Sequence, residues 1–193
     1  RLFKKNGIRS VSMDDIAKEL GMSKKTIYQY VENKTELIEK VLNYLREKES
    51  TACLEGDISS MNAIDILLSA SRNVSKQLKD LNSINSFELQ KYYPMIWREF
   101  VVKKRDHVFE VIKQNFTQGI AEGIYRNDLN VDLVARLYIE KLEDVHNPEF
   151  LESVNFGFEK VFEVMFDNHI RGIANADGLA YYEKQIKMSN INI

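Results

Sequence analysis

Residues 21–37 read GMSKKTIYQYVENKTEL. Two lysines, two tyrosines and a glutamine fall within two helical turns. A glycine precedes them and an Asn-Lys pair follows. Gly21 is a helix stop, because only glycine takes the left-handed C′ conformation without penalty. Ser23 is the N-cap of the next helix. Ile27 and Val31 stand at i and i+4, so they share one face and anchor the segment 24–31 in a core. Lys25 and Gln29, also four apart, then lie outward together with Tyr28. Lys24 occupies the first turn with its ammonium free. Asn33-Lys34 breaks the pattern, and Thr35 is the expected cap of a longer helix carrying Leu37, Ile38, Val41, Leu42 and Leu45.

The residues upstream follow the same grammar. Leu2-Phe3 opens a short helical fragment that stops at Asn6-Gly7. Ser12 precedes Met13-Asp14-Asp15, a cap with an acid three residues on and acids in the first turn, which suits the helix dipole. Ile16, Ala17 and Leu20 are the expected apolar face of that helix. Three short helices and a longer one, with a four-residue turn between the second and third, form a helix-turn-helix pattern. The outward chemistry agrees. Lysine donates to guanine O6 and N7, glutamine bonds adenine, and the methyl of Thr26 can meet thymine. Ser12 and Lys34 sit at helix N-termini, where a hydroxyl or ammonium beside free backbone N–H groups suits phosphate oxygens. Capping alone accounts for Ser23 and Thr35. Tyr30 has two readings, packing against the core or contacting phosphate.

The charge distribution supports a polyanion at this end. Residues 1–34 hold eight cations (Arg1, Lys4, Lys5, Arg9, Lys18, Lys24, Lys25, Lys34) and four acids (Asp14, Asp15, Glu19, Glu32), against a net charge of −2 for all 193 residues. A basic head on an acidic body is the footprint of a protein whose head meets nucleic acid. No apolar run reaches the roughly 18 residues of a membrane span, and no secretory leader is visible, so a cytoplasmic location with no membrane partner is expected. The single cysteine, Cys53, excludes an internal disulfide and a cysteine zinc cage. The three histidines, His107, His146 and His169, lie far apart. No phosphate loop, nucleophile elbow or zinc-protease motif occurs, so neither a catalytic residue nor a bound metal or cofactor is expected.

Beyond residue 50 the helices lengthen. The periodicity predicts helices over 61–80, 84–92, 95–123, 131–145, 148–171 and 177–188, with breaks at Glu55-Gly56-Asp57, Asn82-Ser83, Tyr93-Pro94, Arg126-Asn127-Asp128, Asn147-Pro148 and Gly172. The fold class is therefore all-α. A three-helix helix-turn-helix domain over 1–48 is expected to join a larger helical domain over 49–193.

The stretch LFKKNGIRSVSMDDIAKELGMSKKTIYQYVENKTELIEKVL resembles the TetR/AcrR family of bacterial transcriptional regulators. The resemblance rests on Leu2-Phe3 and Gly7, Ile16-Ala17, Gly21-Met22-Ser23, Ile27-Tyr28-x-Tyr30-Val31 and Lys34-x-x-Leu37, about a fifth of the chain. It implies DNA contacts at Ser12, Lys24, Lys25, Thr26, Tyr28, Gln29, Tyr30 and Lys34. Asp14 and Asp15 depart from it, since some members carry a basic base-reading residue there. It also implies a body that dimerises and takes a small-molecule effector. A homodimer interface is expected on the helices over 131–145 and 148–171, with Leu137, Val154, Phe158, Phe162 and Met165 as candidates and Gly157 allowing close backbone approach. Ordinary core packing is the competing reading of those residues. Aromatic-lined pockets are the usual small-molecule sites, which marks Phe87, Tyr92, Trp97, Phe100, His107 and Phe116 as candidate effector contacts, with Pro94 a hinge. The resulting expectation is a ligand-responsive dimeric regulator, a repressor, of a near-palindromic operator. The rivals are a helical carrier or enzyme whose first helices only pack, and a DNA-binding protein answering to a partner protein.

Overall fold

The short, separately capped helices at the start of the chain share one core with residues from 89 to 100, and the later helices build a second. The structure is a computed structural model that describes residues 1–52, 60–80, 86–145 and 147–189. Its helices are α1 (Leu2–Asn6), α2 (Met13–Leu20), α3 (Lys24–Ile27), α4 (Lys34–Ala52), α5 (Ala63–Asp80), α6 (Ser86–Tyr92), α7 (Pro94–Ala121), α8 (Val131–Val145), α9 (Pro148–Val154), α10 (Phe158–Ile173) and α11 (Ala176–Ser189). Among the described residues there is no strand, only an antiparallel bridge between Tyr125 and Ala174. The protein is all-α, as its periodicity predicts. The predicted breaks at 55–57 and 82–83, with Cys53 and His146, lie outside the described residues.

The chain forms two units. The first takes Arg1–Ala52 with Lys76–Lys104, the second Cys53–Ser75 with Arg105–Ile193. In the first, Phe3, Ile8, Val11, Met13, Ile16, Ala17, Ile27, Val31, Ile38 and Leu42 close on Leu89 of α6 and Ile96 of α7. Each of these side chains larger than alanine contributes roughly 1.5–3 kcal/mol by leaving water. Helix α6 also holds the α1–α2 corner. The Glu88 carboxylate accepts from the backbone N–H of Ile8 at 2.5 Å and of Arg9 at 3.2 Å. The Arg9 guanidinium lies over the Tyr92 ring, 4.7 Å from its centroid, and donates to the Tyr92 hydroxyl.

The second unit is built on aromatics. Phe116, Tyr125, Tyr138, Phe162, Phe166 and Tyr182 are all buried in one cluster. The Tyr125 hydroxyl donates to Asn115, and Asn115 donates to the Ala63 carbonyl at the start of α5. His169 stacks on Tyr138 with centroids 3.7 Å apart. Two glycines permit close approach. A Cβ on Gly119 would stand 2.1 Å from the Tyr125 ring, and one on Gly178 2.0 Å from the Ile124 carbonyl oxygen.

Three local expectations need correction. The helix predicted over 148–171 breaks into α9 and α10, because Asn155 takes a left-handed φ of 55° and Gly157 caps the new start. A Cβ on Gly157 would meet nothing within 4 Å in this chain, which leaves open space there. Leu20 is exposed, and Met13 takes its place on the buried face of α2. Thr35 is not the cap of α4. The Asn33 side chain accepts from the Glu36 backbone N–H at 3.0 Å instead.

Candidate nucleic-acid interface

The helix-turn-helix is fixed at its joints by the sequence. At the start of α2 the Ser12 hydroxyl accepts from the Asp15 N–H, while the Asp15 carboxylate accepts from the Ser12 N–H at 2.8 Å and from its hydroxyl. These bonds hold the Asp15 carboxyl below its ordinary value. At the end of α2, Gly21 is left-handed (φ 64°), and the Met22 N–H reaches back to the Ala17 carbonyl, closing a Schellman turn. Ser23 then caps α3 by accepting from the Thr26 N–H at 3.0 Å.

Helix α3 is shorter than the predicted 24–31. Regular α-helix covers only Lys24–Ile27, and the chain then tightens, with Gln29 N–H bonded to the Thr26 carbonyl and Tyr30 N–H to the Ile27 carbonyl. The tightening keeps Ile27 and Val31 both buried. Outward lie Lys24, Lys25, Tyr28, Gln29 and Tyr30. Tyr30 is 68% exposed, which decides against its packing in the core. Thr26 is half-buried, with its hydroxyl against that of Ser23.

The cations are not equivalent. Lys24 pairs with Asp14 of α2 at 3.0 Å, and that hydrogen bond raises its pKa. Lys25 is exposed and forms no ion pair among the described residues. Lys34 turns its ammonium to the Arg9 carbonyl at 3.3 Å, and desolvation there lowers its pKa, against the pull of Glu88 and Asp15. The Ser12 hydroxyl is engaged in its capping box.

Three supporting groups escaped the sequence reading. Glu36 accepts from the Glu32 backbone N–H at 2.5 Å and pairs with Lys40, which donates to the Tyr30 carbonyl. Together they hold the turn that presents Tyr28–Tyr30. The signal was the Asn33-x-x-Glu36 capping pattern. The Glu88 hold on Ile8 and Arg9 spans some eighty positions and left no local signal. The Asp14–Lys24 pair spans ten and left none that periodicity detects.

The remaining candidates fall in both units. Phe87, Tyr92, Trp97 and Phe100 belong to the first, with Phe87 64% exposed and Trp97 and Phe100 packed on its core. His107 and Phe116 belong to the second, His107 exposed and Phe116 fully buried. Of the dimer candidates, Leu137 is 54% exposed, Val154, Phe158 and Met165 are half-buried, and Phe162 lies in the unit's own core. No group of three metal-ligating side chains occurs among the described residues. No described helix is long and apolar enough to cross a membrane.

Residues 1–41 match the family model described as bacterial regulatory proteins, tetR family. The chain is 28% identical over 180 residues to the uncharacterized HTH-type transcriptional regulator YvaF of Bacillus subtilis (strain 168), covering 90% of each. Its fold is similar to that of a TetR transcriptional regulator from Chloroflexus aurantiacus J-10-FL, with a TM-score of 0.66 at 20% identity over 91% of each chain. It is also similar to a protein from Saccharomonospora viridis solved in complex with choline, with a TM-score of 0.63 at 16% identity, covering 91% of this chain and 93% of that one.

Proposed function

The chain belongs to the TetR family of bacterial transcriptional regulators, and on that premise we propose that it binds a near-palindromic operator as a homodimer through α3. It is a transcriptional regulator and not an enzyme. The observation that carries the proposed interface is the division of one short segment into two faces. Ile27 and Val31 are buried while Lys24, Lys25, Tyr28, Gln29 and Tyr30 are exposed. A second helix of this kind, held by a glycine turn and two caps, has the form that enters a major groove. Lys24, Lys25 and Gln29 are assigned to base edges, Tyr28 and Tyr30 to the groove and its walls. Ser12, Thr26 and Lys34 act beside them, first as positioning groups in view of the bonds they already make.

Two-fold pairing is assigned to the second unit, where Leu133 and Leu137 of α8 and Val164 of α10 remain about half exposed. Two such protomers would set their α3 helices about one DNA turn apart. Control by a small molecule is proposed on the likeness to the fold solved with choline. An effector that prefers one arrangement of the dimer shifts the population away from the DNA-binding one. Repression is the proposed sign of regulation.

The test is a titration of the wild-type chain and Lys25→Ala against duplexes selected from a randomised near-palindromic pool. Loss of Lys25 weakens binding by about 1–3 kcal/mol, and the wild type shows a steep fall of affinity with salt. Unchanged affinity in the variant would remove the assignment, and a flat salt response would remove DNA binding itself.

A further inference from the structure

Of the two neighbouring lysines at the start of α3, only one is held by a carboxylate. The Lys24 ammonium lies 3.0 Å from Asp14 Oδ2, and both side chains are solvent-facing, at 49% and 69% exposure. The adjacent acid, Asp15, is consumed by the Ser12 capping box, so Asp14 is the acid left to face outward. An exposed ion pair of this kind contributes little to stability. Folding therefore does not explain why a carboxylate stands beside a DNA-facing cation, where it repels phosphate.

Resting on the interface proposed above, we infer that Asp14 and Lys24 act together as a reader of one G·C base pair in each half-site. The chemistry is complementary in both position and sign. In the major groove guanine offers O6 and N7 as acceptors and cytosine offers its N4 amino group as a donor. O6 and N4 are partners in a Watson–Crick hydrogen bond, so they lie about 2.9 Å apart. The ammonium and the carboxylate oxygen stand 3.0 Å apart. Lys24 can donate to guanine O6 while Asp14 accepts from cytosine N4, with the ion pair kept intact. A·T places a donor and an acceptor the other way round, on adenine N6 and thymine O4, while T·A keeps the order but sets the thymine methyl where guanine offers N7 to the Lys24 ammonium. Asp14 is thus a specificity residue, and its cost in phosphate attraction is offset by discrimination. The pair bridges α2 and α3, whose joint is fixed by the Gly21 turn, so its direction is set before DNA arrives.

Selection from a randomised near-palindromic pool, repeated with Asp14→Ala and Lys24→Met, tests this. The wild type should enrich one symmetric G·C pair that Asp14→Ala, which has no acceptor left, and Lys24→Met both lose. Exchanging its guanine for adenine and its cytosine for thymine should weaken the wild type about tenfold or more and Asp14→Ala by much less. Asp14→Ala should fold with the same helical content, since the capping box uses Asp15, and lose only the small share of stability that a first-turn acid supplies. If Asp14→Ala enriches the same bases and only binds all duplexes more tightly, Asp14 is a repulsive charge and the inference is overturned. If the wild type enriches nothing, the DNA-binding reading itself falls.

Discussion

The two units are stabilised by different means. The buried side chains of the first are aliphatic apart from Phe3, and its helices are fastened at their ends by caps and by the Glu88 carboxylate. The second buries six large aromatics and lets two glycines bring backbone and ring into contact. The first unit keeps Tyr28 and Tyr30 on its surface, beside the exposed lysines of α3 that the proposed DNA contact uses. An aliphatic core held at its ends suits a small unit whose surface carries the proposed DNA contacts. An aromatic core suits a unit whose long helices must pack broadly.

The contrast is broken most severely in the second unit. Phe116 is fully buried, against Tyr125 edge-on and His169. Phe116→Ala should destabilise by about 3–5 kcal/mol, read as a drop in the urea midpoint. Trp97, the only tryptophan, packs on the core of the first unit, so its fluorescence follows that unit separately. In the first unit the matching experiment is Glu88→Ala. It leaves the Ile8 and Arg9 N–H groups without their carboxylate and should cost roughly 1.5–3 kcal/mol, the range for hydrogen bonds to a charged group. The Trp97 signal should lose stability with this variant.

Acid separates the units by a different physical route. His169 stacks between Tyr138 and Phe116, its Nε2 shut off from solvent without a hydrogen-bond partner among the described residues. Burial, aided by Lys141, lowers its pKa from 6.5 to about 3. The folded state therefore refuses a proton that the unfolded state accepts between those values. Its contribution is full above pH 6.5 and declines as pH falls, by about 1.4 kcal/mol per unit until pH 3. Asp15 in the first unit is depressed below 3.8, so its capping box is lost only as pH falls below that value. Helix loss by circular dichroism should thus begin at a higher pH than the change in Trp97 emission. His169→Phe should abolish the early part of the transition.

How much was legible follows the same division. Ser12, Gly21 and Ser23 announce their roles because caps and left-handed turns are set by neighbours within a few residues. Ile27 and Val31 announce theirs by spacing. The break at Asn155–Gly157 was missed because the apolar period runs on across it from Phe150 to Phe166. The length of α3 was missed because a tighter turn at Gln29–Tyr30 keeps the same faces as a regular helix. Glu36 left a local signal in the Asn33-x-x-Glu36 pattern, whereas Glu88 binds backbone N–H groups some eighty positions away and Asp14 pairs with a lysine on the next helix, and a single sequence carries no sign of which distant partner such a carboxylate finds.

The smallest expected effects fall at the joints of the first unit, and they sharpen what those joints are for. Ser12→Ala removes a cap and should cost about 1 kcal/mol. Gly21→Ala should cost a similar amount for a different reason. A Cβ there would meet nothing within 4 Å, so no packing is disturbed, and the penalty is the left-handed backbone alone. Asparagine tolerates that conformation, so Gly21→Asn should recover most of the loss. At Gly178 the ranking reverses, because any Cβ strikes the Ile124 carbonyl and asparagine is no better than alanine. Melting temperatures of the four glycine variants, alanine and asparagine at each site, read the difference. Equal penalties for alanine and asparagine at Gly21 would mean that its role is contact and not conformation, and the turn joining α2 to α3 would need another explanation.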